Sequence, residues 1–273
     1  RPAGNSISLP RGMRSSIRRL RAGEILAVKG LGGFHLAVDA SRHDAVVRLR
    51  RRKHREEKPL ALMVPDLEAA RALARIPTED AEILRSIQRP IVLVEKREDH
   101  GLSPEVAPRN RFFGLMLPYT PLHDLLLREG GFRALVMTSG NLSEEPITIA
   151  NQDAFERLRG IADAFLVHDR DIHLRSDDSI VRVVRGVPRQ IRRSRGFVPV
   201  PVFLREDLSA LPPVLAVGGE LKSTVCLTKE NRAFVSQHVG DMENLETLEF
   251  FRLTVSHLER ILEIEPRVVA CDL

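Results

Sequence analysis

The sequence is short of the residues that would place it in several common classes. Of its 273 residues one is Tyr, none is Trp, and aromatics make up 4%, a thin supply for the stacking platforms of single-strand nucleic-acid readers. Two cysteines, Cys226 and Cys271, exclude a disulfide scaffold and a four-thiolate zinc site and favour a reducing, cytoplasmic compartment. No apolar run reaches the roughly 20 residues that cross a bilayer. Residues 1–6 hold neither an initiator Met nor the apolar stretch of a signal peptide, and they read as the start of a piece cut from something longer. Lysine is also scarce, since 36 of the 42 basic residues are arginine.

What remains is globular in composition, 43% apolar and 29% charged, at a length that suggests two domains. The charge is uneven: residues 1–211 carry a net +9 and residues 212–273 a net −4. Guanidinium groups present planar, forked donors suited to phosphate or carboxylate, so an anionic ligand would meet the first segment. A biased codon supply accounts for Arg-rich usage equally well. The +9 also motivates a nucleic-acid-binding reading, against which stands the lack of any recognised reader motif.

Periodicity organises the chain. Residues 13–20, 44–52, 67–74, 79–87, 122–128 and 153–158 read as helices, and 25–29, 34–38, 60–64, 91–94, 135–138, 164–167, 179–184 and 190–193 as strands. That alternation predicts an α/β fold with an open, twisted, mixed sheet covered by helices. Prolines 199, 201, 212 and 213 mark a linker. Beyond it, strands at 214–217, 223–227 and 233–236, a helix at 245–261 and a strand at 267–271 give a βββαβ order, part of a ribonuclease-H-like or actin-like domain. The expected organisation is therefore a lead-in (1–22), a first domain (23–205), a linker (206–213) and the beginning of a second domain (214–273).

Three constellations could carry chemistry. The charge run 48–58 suits a solvated helix face, but it ends on an apolar strand. In an extended segment Lys53 and Arg55 would project to one side and form an anion clamp. At 138–146, a strand ending in Thr138 runs into Ser139-Gly140-Asn141, where Gly permits close backbone approach and Ser and Asn supply donors; an ordinary polar turn would look the same. Arg175-Ser-Asp-Asp-Ser179 and Arg192-Arg-Ser-Arg195-Gly196 are weaker signals. Lys29-Gly-Leu-Gly-Gly33 matches neither a P-loop nor a dinucleotide fingerprint. The only short-spaced histidines, His168 and His173, suit a surface loop better than a metal pair, and no metal site is expected.

The segments 29–40, 49–64, 114–127, 137–147, 175–182 and 193–199 together resemble the YrdC-like domain of the HypF family, the carbamoyltransferases of nickel–iron hydrogenase maturation. Segments 216–227 and 236–251 resemble the start of that family's carbamoyl-transfer domain. The resemblance implies formation of carbamoyl adenylate and pyrophosphate from ATP, with its Mg²⁺, and carbamate derived from carbamoyl phosphate. The carbamoyl group would then pass to the C-terminal cysteine of a HypE-like protein. It implies Lys53, Arg55, Ser139 and Asn141 as the reacting pocket, with Lys29 and Thr138 in its wall and Ser179, Arg193 and Arg195 near the phosphates. The family's acylphosphatase-like domain and cysteine-rich zinc motifs are not in this sequence. The expectation is that it adenylates carbamate but neither processes carbamoyl phosphate efficiently nor carbamoylates a partner unaided. A threonylcarbamoyl-adenylate synthase acting in tRNA modification is the nearest alternative.

Overall fold

The computed structural model describes residues 9–142, 145–206 and 210–272. Ser143 and Glu144 of the Ser-Gly-Asn segment, residues 1–8 of the lead-in and 207–209 of the linker lie outside the described residues. The first unit contains α1 (Arg11–Arg21), β1 (Leu26–Lys29), β2 (Phe34–Asp39), α2 (His43–Lys53), β3 (Leu62–Met63), α3 (Leu67–Leu73), β4 (Ala74–Arg75), α4 (Thr78–Arg85), β5 (Ile91–Lys96), β6 (Phe112–Met116), α5 (Pro121–Gly130), β7 (Leu135–Ser139), α6 (Asn151–Arg157), β8 (Ala164–Leu166), β9 (Ile180–Val184) and β10 (Val187–Arg192). The second contains β11 (Val202–Phe203), β12 (Val214–Val217), β13 (Val225–Lys229), β14 (Arg232–Val235), α7 (Leu245–Leu262) and β15 (Val268–Ala270).

The large sheet runs β10-β9-β5-β6-β3-β7-β2-β1-β8, with β4 paired to β5. Its pairs β1–β8, β3–β6 and β5–β9 are parallel, while the other strand pairs of the sheet are antiparallel. Both faces are covered, which explains why β1 is apolar without a break up to Lys29. Strand alternation sends Ile25 and Ala27 into one apolar cluster and Leu26 and Val28 into the other. β2 divides likewise, with Phe34, Leu36 and Val38 on one face and Ala37 on the other. Helix α1 buries Met13, Ile17 and Leu20 at helical spacing, so the expected lead-in is packed into the core of the first unit.

Local chemistry explains the best-defined helix. In α5 the Thr120 hydroxyl accepts from the His123 N–H, Pro121 takes the first turn, and Gly131 ends the helix at φ +61°. Strand β6, which the reading of residues 91–138 passed over, lies inside the sheet between β5 and β3. The second sheet, β11-β14-β13-β12-β15, reproduces the βββαβ order with β12 and β15 parallel. Val202–Phe203, inside the stretch assigned to the first domain, pairs with β14 and so joins this second sheet.

Candidate functional site

A cavity of about 470 Å³ opens over one face of the large sheet. Its floor is apolar, made by Ile91, Leu93, Met137, Ile147 and Ile180, and its polar boundary contains Arg55, Lys58, Thr138, Ser139, Asp177 and Arg192. An apolar slot beside a cationic rim suits a ligand with a flat ring at one end and negative charge at the other.

Arg55 and Lys53 converge here, but not through an extended segment. Lys53 is the last residue of α2, and His54 caps the helix in the left-handed conformation at φ 51°. Reversal at that cap brings Lys53 and Arg55 to two sides of the β7 end. Lys53, 6% exposed, stands behind the cavity wall. Its Nζ donates to Ser139 O at 2.8 Å, Asn141 O at 2.8 Å and Asn141 Oδ1 at 2.7 Å. Burial and then the charge of Arg55 press Lys53 down to about 7. Three oxygens around one nitrogen are nevertheless the count that an ammonium satisfies and a neutral amine cannot. Lys53 therefore acts as the post on which the Ser139–Asn141 turn is fixed.

Arg55 does face the cavity. Its guanidinium donates to Thr138 Oγ1 at 2.9 Å, Pro59 O at 2.6 Å and Lys58 O at 3.1 Å, using three of five N–H groups. The Thr138 hydroxyl, accepting from Arg55, keeps its own proton for a ligand. Burial, followed by repulsion from Arg50 and Arg192, lowers Arg55 to about 10. Lys58 is lowered by the same causes, burial first and then Arg55 and Arg192. Cations that depress one another across an open cavity form a field awaiting an anion.

The turn itself depends on glycine. A Cβ on Gly140 would sit 2.8 Å from Phe34 O, the oxygen that accepts the Gly140 N–H at 2.7 Å. Within the turn Ser139 Oγ donates to Asn141 Oδ1 at 2.8 Å and Asn141 Nδ2 donates to Glu145 O at 2.6 Å. Asn141 thus braces the turn, and Ser139 lines the cavity.

Under the rim lies a buried charge network. Asp178 Oδ2 accepts from His35 Nε2 at 3.0 Å and Oδ1 from Arg195 Nε at 2.8 Å. The Arg195 guanidinium stacks 3.5 Å above the Tyr119 ring and donates to Gln88 O and Arg89 O. Burial alone would raise Asp178, but the His35 hydrogen bond and the Arg195 charge outweigh it and hold the carboxyl well below its usual range. Burial, then His35, pushes the neighbouring His123 down to about 3.

Several residues expected at the ligand are spent on structure. Arg195 belongs to the network just described, held by Asp178, the carbonyls of residues 88–89 and the Tyr119 ring. Ser179 is fully buried; its Oγ donates to Arg195 O at 2.9 Å and accepts from Ser194 N at 2.8 Å. Arg193 points to the second unit and donates to Val235 O at 3.5 Å and Phe197 O at 3.1 Å. Lys29 is buried and donates to His168 O at 3.2 Å. None of these four lines the cavity. The rim instead takes Lys58, Asp177 and Arg192, which lie inside the segments the sequence reading singled out but were not chosen as site residues. Lys58 closes the same charge run as Lys53, and Arg192 sits one residue from a chosen arginine, so both signals were in view and the choice of neighbour was not. Among the described residues, no three His, Cys, Asp or Glu side chains gather as a metal site, and no helix is long and apolar enough to cross a membrane.

Comparison with known proteins follows the same division. Residues 18–194 match the Sua5–YciO–YrdC family model, described as telomere recombination, and residues 209–273 match the HypF Kae1-like domain. The chain is 49% identical to carbamoyltransferase HypF2 of Cupriavidus necator, over 94% of its own length and 34% of the relative's. It is 48% identical to carbamoyltransferase HypF of Rhizobium leguminosarum bv. viciae, over 93% of its length and again 34% of the relative's. It therefore spans about a third of these curated relatives. A crystal structure of full-length HypF in a phosphate- and nucleotide-bound form superposes with a TM-score of 0.91 at 42% identity, covering 96% of this chain and 41% of that one. Sua5 of P. abyssi, complexed with L-threonine, shares the fold at a TM-score of 0.61 and 13% identity, covering 95% of this chain and 88% of that one.

Proposed function

The chain belongs to the Sua5–YciO–YrdC family, in its HypF carbamoyltransferase branch, and from that premise we propose that its cavity joins ATP to carbamate. A carbamate oxygen attacks the α-phosphorus of ATP, the bond from that phosphorus to the bridging oxygen breaks, and pyrophosphate leaves with the bond electrons. The product is carbamoyl adenylate, a mixed anhydride whose carbamoyl group would be passed to the C-terminal cysteine of a HypE-like acceptor. Carbamate would derive from carbamoyl phosphate elsewhere in a complete enzyme. Mg²⁺ enters as part of the nucleotide substrate, on ATP oxygens.

One observation carries this reading: Arg55, Lys58 and Arg192 share the rim of a cavity whose floor is apolar. Two anions must be brought into contact, and their repulsion is the barrier that fixed cations lower. Arg55 and the hydroxyls of Thr138 and Ser139 face the joining atoms, while Lys53 and Asn141 keep the turn rigid so that alignment is not lost during reaction. An enclosed floor also limits attack by water on the adenylate.

The test is pyrophosphate release from ATP with carbamate as co-substrate. Release that depends on carbamate, and falls about 100-fold or more in Arg55→Ala, is expected. Stimulation by threonine plus bicarbonate instead would assign the cavity to threonylcarbamoyl adenylate. Salt-sensitive RNA binding without ATP turnover would point to a nucleic-acid module.

A further inference from the structure

The connection between β8 and β9 touches both units. Arg260 Nη2 of α7 lies 3.4 Å from His173 Nε2 and 3.4 Å from His257 Nδ1. The Arg175 guanidinium lies over the Phe250 ring at 5.7 Å, and Phe250 is buried. Phe250 and His257 are about two turns apart on α7, so the connection runs along one side of that helix. It also reaches the cavity. Arg175 Nε donates to Ile147 O at 3.1 Å, and Ile147 lines the cavity floor. Ser176 N–H donates to Gly32 O at 3.0 Å, and Asp177 and Asp178 line the cavity. Next to Ile147, Thr148 N–H donates to Gly140 O at 2.9 Å, and Gly140 N–H donates to Phe34 O at 2.7 Å. Those bonds tie Ile147 to the turn that bears Ser139. Arg175 thus stands between an aromatic ring of the second unit and a carbonyl of the first unit's cavity wall.

We propose that Arg175 is a positioning residue of the cavity: seated on Phe250, it holds the Ile147 carbonyl and so transmits the docking of α7 to the Ser139–Asn141 turn. The inference deepens the reading of the cavity given above and extends it across the two units. A long side chain fixes a carbonyl only when its own rotamer is fixed, since free arginine has much conformational entropy to lose. The planar head of arginine does both tasks at once. Its Nε–H donates in the plane, while its face rests on the ring. Without the ring the side chain samples other rotamers, and Ile147 O loses its donor for part of the time. The rim cations Arg55, Lys58 and Arg192 take no part in this contact. Nucleotide affinity therefore survives its loss, and alignment of the reacting groups suffers.

The experiment uses the whole chain. Amide hydrogen exchange at Gly140 and Thr148 is followed by NMR. It should quicken about tenfold in Arg175→Met. In Phe250→Leu, which keeps an apolar side chain but removes the ring face, it should quicken about threefold. The double variant should exchange no faster than Arg175→Met, because both changes cut one link. Arg175→Lys still offers a donor and a cation to the ring and should recover most of the protection. In carbamate-dependent pyrophosphate release, Arg175→Met should lose about tenfold in kcat while its KM for ATP stays within about twofold. Unchanged exchange at Gly140 and Thr148 in Phe250→Leu, or effects that multiply in the double variant, overturns this inference and leaves the nucleotide reading intact. Faster exchange throughout the large sheet, with a lowered unfolding midpoint, also overturns it, since Arg175 would then be merely structural. If the unmodified chain releases no pyrophosphate with carbamate, the nucleotide reading fails, and the exchange rates still decide the coupling. Should Arg175→Met fail to fold, exchange in Phe250→Leu decides alone.

Discussion

Lys53 and Lys58 lie five residues apart in one charge run and meet opposite surroundings. Lys53 is buried, with three oxygens around its ammonium. Lys58 is exposed on the cavity rim, facing Arg55 and Arg192. The same contrast separates Arg195, committed to Asp178 and two backbone carbonyls, from Arg192, whose carboxylate contact is long. A cation saturated with acceptors holds the fold; one set against other cations at an opening marks where an anion belongs.

The comparison can be broken most forcefully on its interior side. Asp178→Ala strands Arg195 and His35 inside the molecule, and loss of one partner of such a buried pair is expected to cost about 3–5 kcal/mol, read by denaturant unfolding. The pH dependence has a definite sign. The Asp178 carboxyl is held below its unfolded value of about 3.9, so its contribution is fully present above that pH and is lost as pH falls toward the folded value. Asp178→Asn should therefore flatten the acid limb of stability below about pH 4.

Lys53→Met is the next largest. It keeps the apolar stem but removes the ammonium from Ser139 O and Asn141 O and leaves Asn141 Oδ1 with only the Ser139 hydroxyl, with an expected loss of about 1–3 kcal/mol. The Ser139 turn should loosen as well, so pyrophosphate release should fall further than stability does. A variant that retains full stability would refute the assignment of Lys53 as a structural post.

The rim substitutions should be mildest for the fold and visible in the ligand. Lys58→Ala and Arg192→Ala are each expected to weaken ATP binding about three- to tenfold, with unfolding midpoints nearly unchanged and a shallower salt dependence of binding. If Lys58→Ala destabilises the fold as much as Lys53→Met, the distinction between interior and rim cations fails.

Much of the fold was legible locally. The apolar run Ile25–Val28 marked a strand, and the periodicity of residues 122–128 marked the body of a helix. The βββαβ order of the second unit followed from strand and turn spacing. Strand β6 escaped although Phe112–Met116 is a short apolar run, because such runs in isolation do not distinguish a strand from part of a buried helix.

Residue type and spacing by themselves determined most of the strands and helices and that the first unit carries the positive charge, whereas the grouping of Lys53, Arg55, Ser139 and Asn141 came from the family resemblance. Only the tertiary structure decided which of these four line the cavity. A left-handed residue, His54, turned Lys53 behind the wall and Arg55 into it. Asp178 and the carbonyls of residues 88–89 enclosed Arg195, while Arg192 was left at the cavity edge. The reason is physical: backbone preference is set by near neighbours, whereas the fate of a charge depends on desolvation and on partners brought in from about a hundred residues away.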